Sequence, residues 1–212
     1  MGEVKSYLIP GGYGEVEFIE KRSRFIGRVW PVDSETEAIA HIKETREKHW
    51  DATHNVYAYI MLEGGIMRYS DDGEPGGTSG MPTLNVFRSN DIKNVCCVVT
   101  RYFGGILLGA GGLVRAYSNT AKLALDAAGI SRMDLWDELL ISCAYNQFER
   151  VRRLLDECGA VIENTDFGAD VVLEALVNQD QTPHFVQALT ELTAGTAVCE
   201  TVGSSFRAVR IK

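Results

Sequence analysis

The residues best suited to chemistry lie in an acidic, glycine-rich segment at positions 70–82. Asp71, Asp72 and Glu74 surround Gly73 there. Clustered carboxylates can hold Mg²⁺, because a hard cation prefers oxygen ligands. They can also serve as an acid and a base, because neighbouring acids push each other's pKa apart. These four residues are therefore candidate ligand-binding positions.

The same segment also has a purely structural interpretation. Asp-Gly and Pro-Gly are common turn dipeptides, and Thr78 or Ser79 can cap a following helix. The density of charged and polar side chains exceeds what a turn needs, so a binding role and a turn stay about equally open. Thr78 is kept among the candidate binding residues.

A second glycine-rich segment, residues 101–115, follows a predicted strand and opens a predicted helix. Free amides at a helix N-terminus, beside Arg101 and Arg115, suit a phosphate or another anion. No Gly-Lys-Ser/Thr follows, which excludes a P-loop, and Val114 stands where a dinucleotide-binding fingerprint needs its third glycine. Close packing of helix on strand is the structural alternative, and the apolar insert 106–108 suits a protein contact or a core plug. The candidate anion- or ligand-binding residues of this segment are Arg101, Tyr102, Gly104, Gly105, Gly109, Gly111, Gly112 and Arg115.

The sequence contains no complete catalytic constellation. Its histidines lack a ligand-spaced partner such as His-Glu-x-x-His, and it has neither a Gly-x-Ser-x-Gly elbow nor a cysteine–histidine pair. His54, at the start of a predicted strand, could reach the glycine-rich segments, but strand-end histidines are more often structural. The sequence therefore predicts no catalytic residue, no metal ligand and no cofactor.

The elements that position these segments follow from hydrophobic periodicity. A capping box of Ser34 and Glu37 opens a helix whose apolar stripe is Ala38, Ile39 and Ile42. A helix follows each glycine-rich segment. The first is predicted to bury Met81, Leu84 and Phe87, and the second is predicted to run from Leu113 and to end at Gly129. Strands are predicted at 16–19, 24–30, 54–62, 66–69 and 94–102, the last as an apolar run covered on both faces.

The rest of the chain has a βαββαβ rhythm, which is the ferredoxin-like plan. We place a domain boundary near Asp134, giving domains 1–134 and 135–212 in an α+β fold. The strands of this second domain are predicted at 139–144, 161–162, 171–177 and 197–202, and its helices at 147–158 and from Thr182 to Gly195.

Charge limits the classes of partner. The net charge is −8 over 212 residues. Residues 1–134 carry 15 Lys and Arg against 17 Asp and Glu, whereas residues 135–212 carry 6 against 12. A globally basic nucleic-acid binder is excluded, but a local basic patch in the first domain is not.

Cysteine usage and hydropathy indicate the compartment. Five cysteines without a Cys-x-x-Cys pair are typical of free thiols in a reducing cytosol, and the adjacent Cys96 and Cys97 should point to opposite faces of a strand. No apolar run approaches the roughly 18 residues of a membrane span. Residues 1–6 lack the apolar region of a signal peptide. We expect a cytoplasmic protein without membrane association.

Together the two glycine-rich segments resemble the IMPACT family. Ser-Asp-Asp-Gly-Glu-Pro-Gly-Gly-Thr-Ser-Gly-Met-Pro at 70–82 is followed by Val-Thr-Arg-Tyr-Phe-Gly-Gly at 99–105 and Leu-Gly-Ala-Gly-Gly-Leu-Val-Arg-Ala-Tyr at 108–117. The chain length and second domain resemble the bacterial YigZ-type members, and the likeness covers essentially the whole chain. The resemblance implies a first domain similar to domain IV of elongation factor G and the GHMP kinases. It also implies a second domain similar to the final domain of elongation factor G.

The resemblance also bears on function. Eukaryotic relatives regulate translation under amino-acid stress through an additional N-terminal domain. Our first hypothesis is a non-enzymatic regulatory protein that binds RNA, the ribosome or a translation factor through the glycine-rich segments. A nucleotide- or phosphate-binding enzyme acting on a small phosphorylated molecule is the alternative, and a protein-interaction scaffold is a third possibility. The sequence assigns no oligomeric state.

Overall fold

The computed structural model describes residues 6–211. Residues 1–5, on which the expectation of no signal peptide rests, lie outside the described residues. The strands are β1 Ser6–Pro10, β2 Gly14–Glu20, β3 Ser23–Pro31, β4 His54–Ile60, β5 Met67–Ser70, β6 Val95–Tyr102, β7 Ile130–Cys143, β8 Val161–Phe167, β9 Val171–Asn178 and β10 Val198–Arg210. The helices are α1 Glu35–Lys48, α2 Gly80–Ser89, α3 Ala110–Ala128, α4 Phe148–Glu157 and α5 Thr182–Thr193. No helix among these residues is long and apolar enough to cross a membrane.

The described chain forms two compact units, each with its own core. Tyr7–Arg132 with residues 209–211 make up one, and Met133–Ala208 with Ser6 make up the other. The residues near Asp134, where the sequence places the boundary, lie inside β7. The division into domains 1–134 and 135–212 stays a prediction.

The first unit contains an antiparallel sheet with helices on both faces. Its strand order is β2-β3-β6-β4-β5. β6 lies in the middle and is buried along nearly its whole length, which confirms the prediction from its apolar run. Cys97 packs in the core with α2 and α3, whereas Cys96 packs in the smaller core with α1. The two thiols thus point to opposite faces, as strand alternation requires.

Helix α1 forms as predicted, but its capping box and its buried stripe differ in part from the prediction. The Glu37 amide donates to Ser34 Oγ at 3.2 Å, as expected for a capping box. The Glu37 carboxylate, however, accepts from the amide of Asp33, one residue earlier than expected. Ile39 was wrongly assigned to the core and is 53% exposed; the buried stripe runs through Ala38, Ile42 and Thr45, at the i, i+4, i+7 spacing.

The second unit has the ferredoxin-like arrangement that its sequence rhythm predicts. β7 pairs with β9 on one side and with β10 on the other, and β8 pairs with β9, giving the order β10-β7-β9-β8. The buried side chains of α4 and α5 share one core with those of β7 and β9. β7 begins nine residues earlier than predicted. Polar residues such as Asp134 and Asp137 take buried positions in this part of the strand, so the sequence lacks the apolar pattern from which a strand is predicted. The short strand β1 was not predicted from the sequence.

Candidate functional site

The first of the three clustered carboxylates, Asp71, organises the start of α2. Its oxygens accept hydrogen bonds from the amides of Gly77, Ser79 and Gly80 at 2.8–3.1 Å and from the Ser79 hydroxyl at 2.7 Å. Burial alone would raise the pKa of Asp71, but these bonds outweigh it and lower the pKa below its ordinary value. Asp71 therefore caps a helix and folds the loop back on itself. Thr78 has a similar local role, since its hydroxyl donates to the carbonyl of Pro75 at 2.7 Å.

Asp72 fastens the same loop to the neighbouring strand and helix. One oxygen accepts from Arg46 at 2.6 Å, and the other accepts from the amide of Asn55 at 2.6 Å. Its backbone has φ +45°, in the left-handed region, and its carbonyl lies 2.8 Å from Nδ1 of His54. Both carboxylate oxygens are thus engaged within the protein.

Glu74 forms a buried ion pair. Its side chain is 3% exposed, and Oε1 accepts from Arg101 at 2.6 Å and from the Tyr117 hydroxyl at 2.7 Å. Burial and the nearby Glu74 carboxylate raise the pKa of Tyr117 well above its usual value. The guanidinium of Arg101 also lies over the rings of Phe25 and Phe103. The charge of Arg101 is therefore neutralised within the fold, whereas its Nε is a buried donor without a hydrogen-bond partner among residues 6–211.

The three carboxylates do not form a common centre, because each has different protein partners. Among residues 6–211, no group of three His, Cys, Asp or Glu side chains is placed to hold a metal ion. The turn that the segment makes separates the three carboxylates, which are close together in the sequence.

His54, which the sequence analysis considered more often structural, lies beside two of these acidic residues. Its Nδ1 contacts the carbonyl of Asp72, and its Nε2 lies 3.8 Å from Oε2 of Glu74. A carbonyl only accepts, so Nδ1 carries a proton, and in the neutral ring Nε2 is an acceptor. The register of β4 against β6, which pairs His54 with Arg101, places it there; only long-range pairing could have revealed this.

The two glycine-rich segments border one cavity, hereafter the loop cavity, of about 350 Å³. Gly73 and Glu74 come from the first segment and Gly109 from the second, so the structure brings the segments together. The remaining lining residues are Thr53, His54, Pro75, Arg101, Phe103, Leu107, Leu108, Ala110 and Leu113. Gly109 precedes α3 with φ +74°, and no side chain caps this helix.

The other glycines of the second segment have distinct roles. A Cβ at Gly104 would lie 2.0 Å from the backbone carbon of Arg22, so this glycine permits close packing of two loops. Gly105 lies in a turn with φ +80°, and Gly111 and Gly112 form the first turn of α3. At Gly104 the structural alternative accounts for the glycine.

Tyr102 points away from the loop cavity, because successive strand residues face opposite sides. Its hydroxyl lies 2.9 Å from Nδ1 of His49 and donates to Asp51 at 3.1 Å. Nε2 of His49 lies 2.7 Å from Arg28, which can only donate, so this nitrogen accepts. Burial and the positive charge of Arg28 lower the pKa of His49. Tyr102 thus belongs to a separate polar network.

Arg115 also lies away from the loop cavity. It is the sixth residue of α3, not part of its first turn, and it is exposed. It lines an open groove of about 670 Å³, hereafter the basic groove. The other lining residues are Phe18, Glu20, Lys21, Val86, Ser89, Asn90, Gly112, Ala116, Ser118, Asn119 and Lys122. The candidate residues of the second segment are therefore divided between two depressions beside the start of α3.

Two family models match separate parts of the chain. Residues 21–125 match the Impact N-terminal domain, and residues 141–196 match a domain of unknown function, DUF1949. The chain is 38% identical to the IMPACT family member YvyE of Bacillus subtilis over 90% of this chain and 88% of that protein. It is 33% identical to YigZ of Escherichia coli over 91% of this chain and 96% of the relative.

A solved structure described as a hypothetical protein is 32% identical to this chain. It superposes with a TM-score of 0.59 over 94% of this chain and 98% of its own. With matches to relatives over most of their length and to both domain models, the chain belongs to the IMPACT family.

Proposed function

We propose that this protein binds RNA of the translation apparatus through the basic groove of its N-terminal domain. The observation that carries the proposal is that Lys21, Arg115 and Lys122 line one open groove. The resemblance to elongation-factor domains supports the choice of the translation apparatus. The binding surface lies at the Gly112 end of the second glycine-rich segment.

The three cations of the groove differ in whether a carboxylate of the protein already pairs with them. Among residues 6–211, Arg115 and Lys21 have no carboxylate within ion-pair distance, whereas Lys122 contacts Asp126 at 2.5 Å. Two uncompensated cations can therefore contact phosphates without first breaking an internal pair. Glu20 is the carboxylate among the lining residues, and it limits how much anionic charge the groove accepts.

Uncharged groups in the groove suit RNA more than an isolated phosphate. Asn90 and Asn119 carry amides that can both donate to and accept from base edges, and Ser89 and Ser118 add hydroxyls that suit the 2′-hydroxyl. Phe18 and Val86 supply apolar surface for an unstacked base. Phosphate contacts provide affinity here, and these polar groups provide selectivity for an unpaired strand.

The enzyme alternative receives less support. A site for a phosphorylated small molecule at the loop cavity needs a free cation, but Arg101 is already neutralised by Glu74. The ribosome and translation factors are the other partners that the resemblance suggests, and the following experiment separates them from RNA.

The test is the salt dependence of binding to a fluorescein-labelled single-stranded RNA, followed by anisotropy. Each lost phosphate contact reduces the slope of log K against log salt by about 0.7 for a single strand. Arg115→Ala should lower both the affinity and this slope. Arg150→Ala, which removes an exposed arginine from α4, is the matched control and should change neither.

Full-length variants are preferable to a truncation after residue 134. The cut would fall inside β7 and would remove residues 209–211, which belong to the first compact unit. Equal slopes for Arg115→Ala and wild type would contradict the proposal. Retained cosedimentation with ribosomes in that case would assign recognition to a protein surface.

A further inference from the structure

We propose that the loop cavity binds an apolar α-amino acid. Its ammonium group would donate to Glu74 and His54, its carboxylate would accept from the start of α3, and its side chain would contact the apolar wall. The site is separate from the basic groove, so this proposal is independent of RNA binding.

The two oxygens of Glu74 have unequal surroundings. Oε1 receives the hydrogen bonds of both Arg101 and Tyr117. The structure records no hydrogen bond to Oε2 from residues 6–211, although the side chain is 97% buried. Oε2 is not among the fully buried side-chain atoms that lack a partner, so it can be reached from the cavity, where a ligand or solvent can donate to it. Oε2 therefore marks an acceptor position on the cavity wall.

His54 supplies a second acceptor at the same place. Because Nδ1 donates to the carbonyl of Asp72, the neutral ring presents a lone pair at Nε2. Nε2 and Oε2 of Glu74 are 3.8 Å apart, too far for a hydrogen bond between them. An ammonium group has three donors and can reach both atoms at ordinary hydrogen-bond lengths, whereas a hydroxyl can donate to only one.

Charge argues for a zwitterion rather than a simple amine. Arg101 already cancels the charge of Glu74 at 2.6 Å. The start of α3 adds partial positive charge, and the amides of Ala110 and Gly111 lie in its first turn without a capping side chain. A bare cation would gain little in this field, whereas a carboxylate at the other end of the same molecule matches the uncapped amides.

The remaining wall selects an apolar side chain. Phe103, Leu107, Leu108 and Leu113 line the cavity, and Leu107 is 82% exposed. A ligand that covers these side chains gains hydrophobic free energy that a polar ligand of equal size does not. The volume of about 350 Å³ is at the small end of ligand cavities, which fits a single amino acid.

The test uses matched ligands on the full-length protein, followed by amide chemical shifts. L-phenylalanine should bind saturably and shift the amides of Ala110 and Gly111. Phenethylamine lacks the carboxylate and 3-phenylpropionate lacks the amine, so each should bind about tenfold more weakly or worse. Glycine, without the apolar group, should bind more weakly than L-phenylalanine.

A variant pair locates the ammonium end. His54→Leu should weaken L-phenylalanine binding about tenfold and leave the affinity for 3-phenylpropionate unchanged, a pattern that general loosening of the loop would not give. His184→Leu, which makes the same change at an exposed histidine of α5, is the matched control and should leave both affinities unchanged. Equal affinity of L-phenylalanine and 3-phenylpropionate for the wild type would overturn the proposal, as would the absence of saturable shifts. Because the ligand comparison uses wild-type protein, it decides the matter even if His54→Leu folds poorly.

Discussion

The two depressions beside the start of α3 use arginine in opposite ways. In the loop cavity, Arg101 is 6% exposed on its side chain and is paired with Glu74. In the basic groove, Arg115 is exposed and, among residues 6–211, has no carboxylate within ion-pair distance. Both residues flank the same glycine-rich segment in the sequence. A buried arginine with its anion is part of the fold, whereas an exposed arginine without one is available to a partner.

The largest expected effect follows from removing the anion of the buried pair. Glu74→Gln should lower the free energy of unfolding by about 3–5 kcal/mol, because it leaves the Arg101 guanidinium buried without a counter-charge. Urea denaturation followed by circular dichroism measures this loss. Glu63→Gln removes an exposed carboxylate from the same unit and should change stability by less than about 0.5 kcal/mol. A loss below 1 kcal/mol at Glu74 would mean that the pair is solvated.

Gly104 tests the close packing beside Arg101. Gly104→Ala should destabilise the protein by about 1–3 kcal/mol or more, since the new methyl group would overlap the backbone of Arg22. Gly76→Ala is the control, because a Cβ at that position meets open space. Similar melting temperatures for the two variants would contradict the packing role assigned to Gly104.

Asp71 should give an intermediate effect that depends on pH. Asp71→Ala should cost about 1–2 kcal/mol at neutral pH, the usual range for a helix cap. The folded-state pKa of Asp71 lies below its ordinary value of 3.8, so its contribution is complete above that pH and is lost as the pH falls through the folded-state pKa. The stabilities of wild type and variant should therefore converge in strong acid. Asp166→Ala, at an exposed position of β8, should show no such convergence, and a constant gap at Asp71 would rule out the ionised cap.

The sequence predicted most of the fold because that information is local. A continuous apolar run located β6, the order of predicted strands and helices gave the ferredoxin-like plan, and the Ser34 cap located α1. Whether Asp71, Asp72 and Glu74 share a ligand depends instead on the path of the loop between β5 and α2, which local patterns do not specify. The partners of Glu74 are Arg101 and Tyr117, 27 and 43 residues away in sequence, and the burial of this pair follows from strand pairing.

The smallest expected effect on stability belongs to Arg115. Arg115→Ala should change the free energy of unfolding by less than about 0.5 kcal/mol, because the side chain is exposed and lacks a carboxylate partner among residues 6–211. Arg101→Ala makes the same chemical change 14 positions earlier and should cost several kcal/mol, because Glu74 is then left buried without its guanidinium. Measuring both variants under the same conditions tests the comparison directly. A large loss of stability at Arg115 would make it a structural residue and remove the main support for the basic groove as a binding surface. Unchanged stability with reduced RNA affinity is the expected combination, since a cation that the fold does not need is free to contact phosphate.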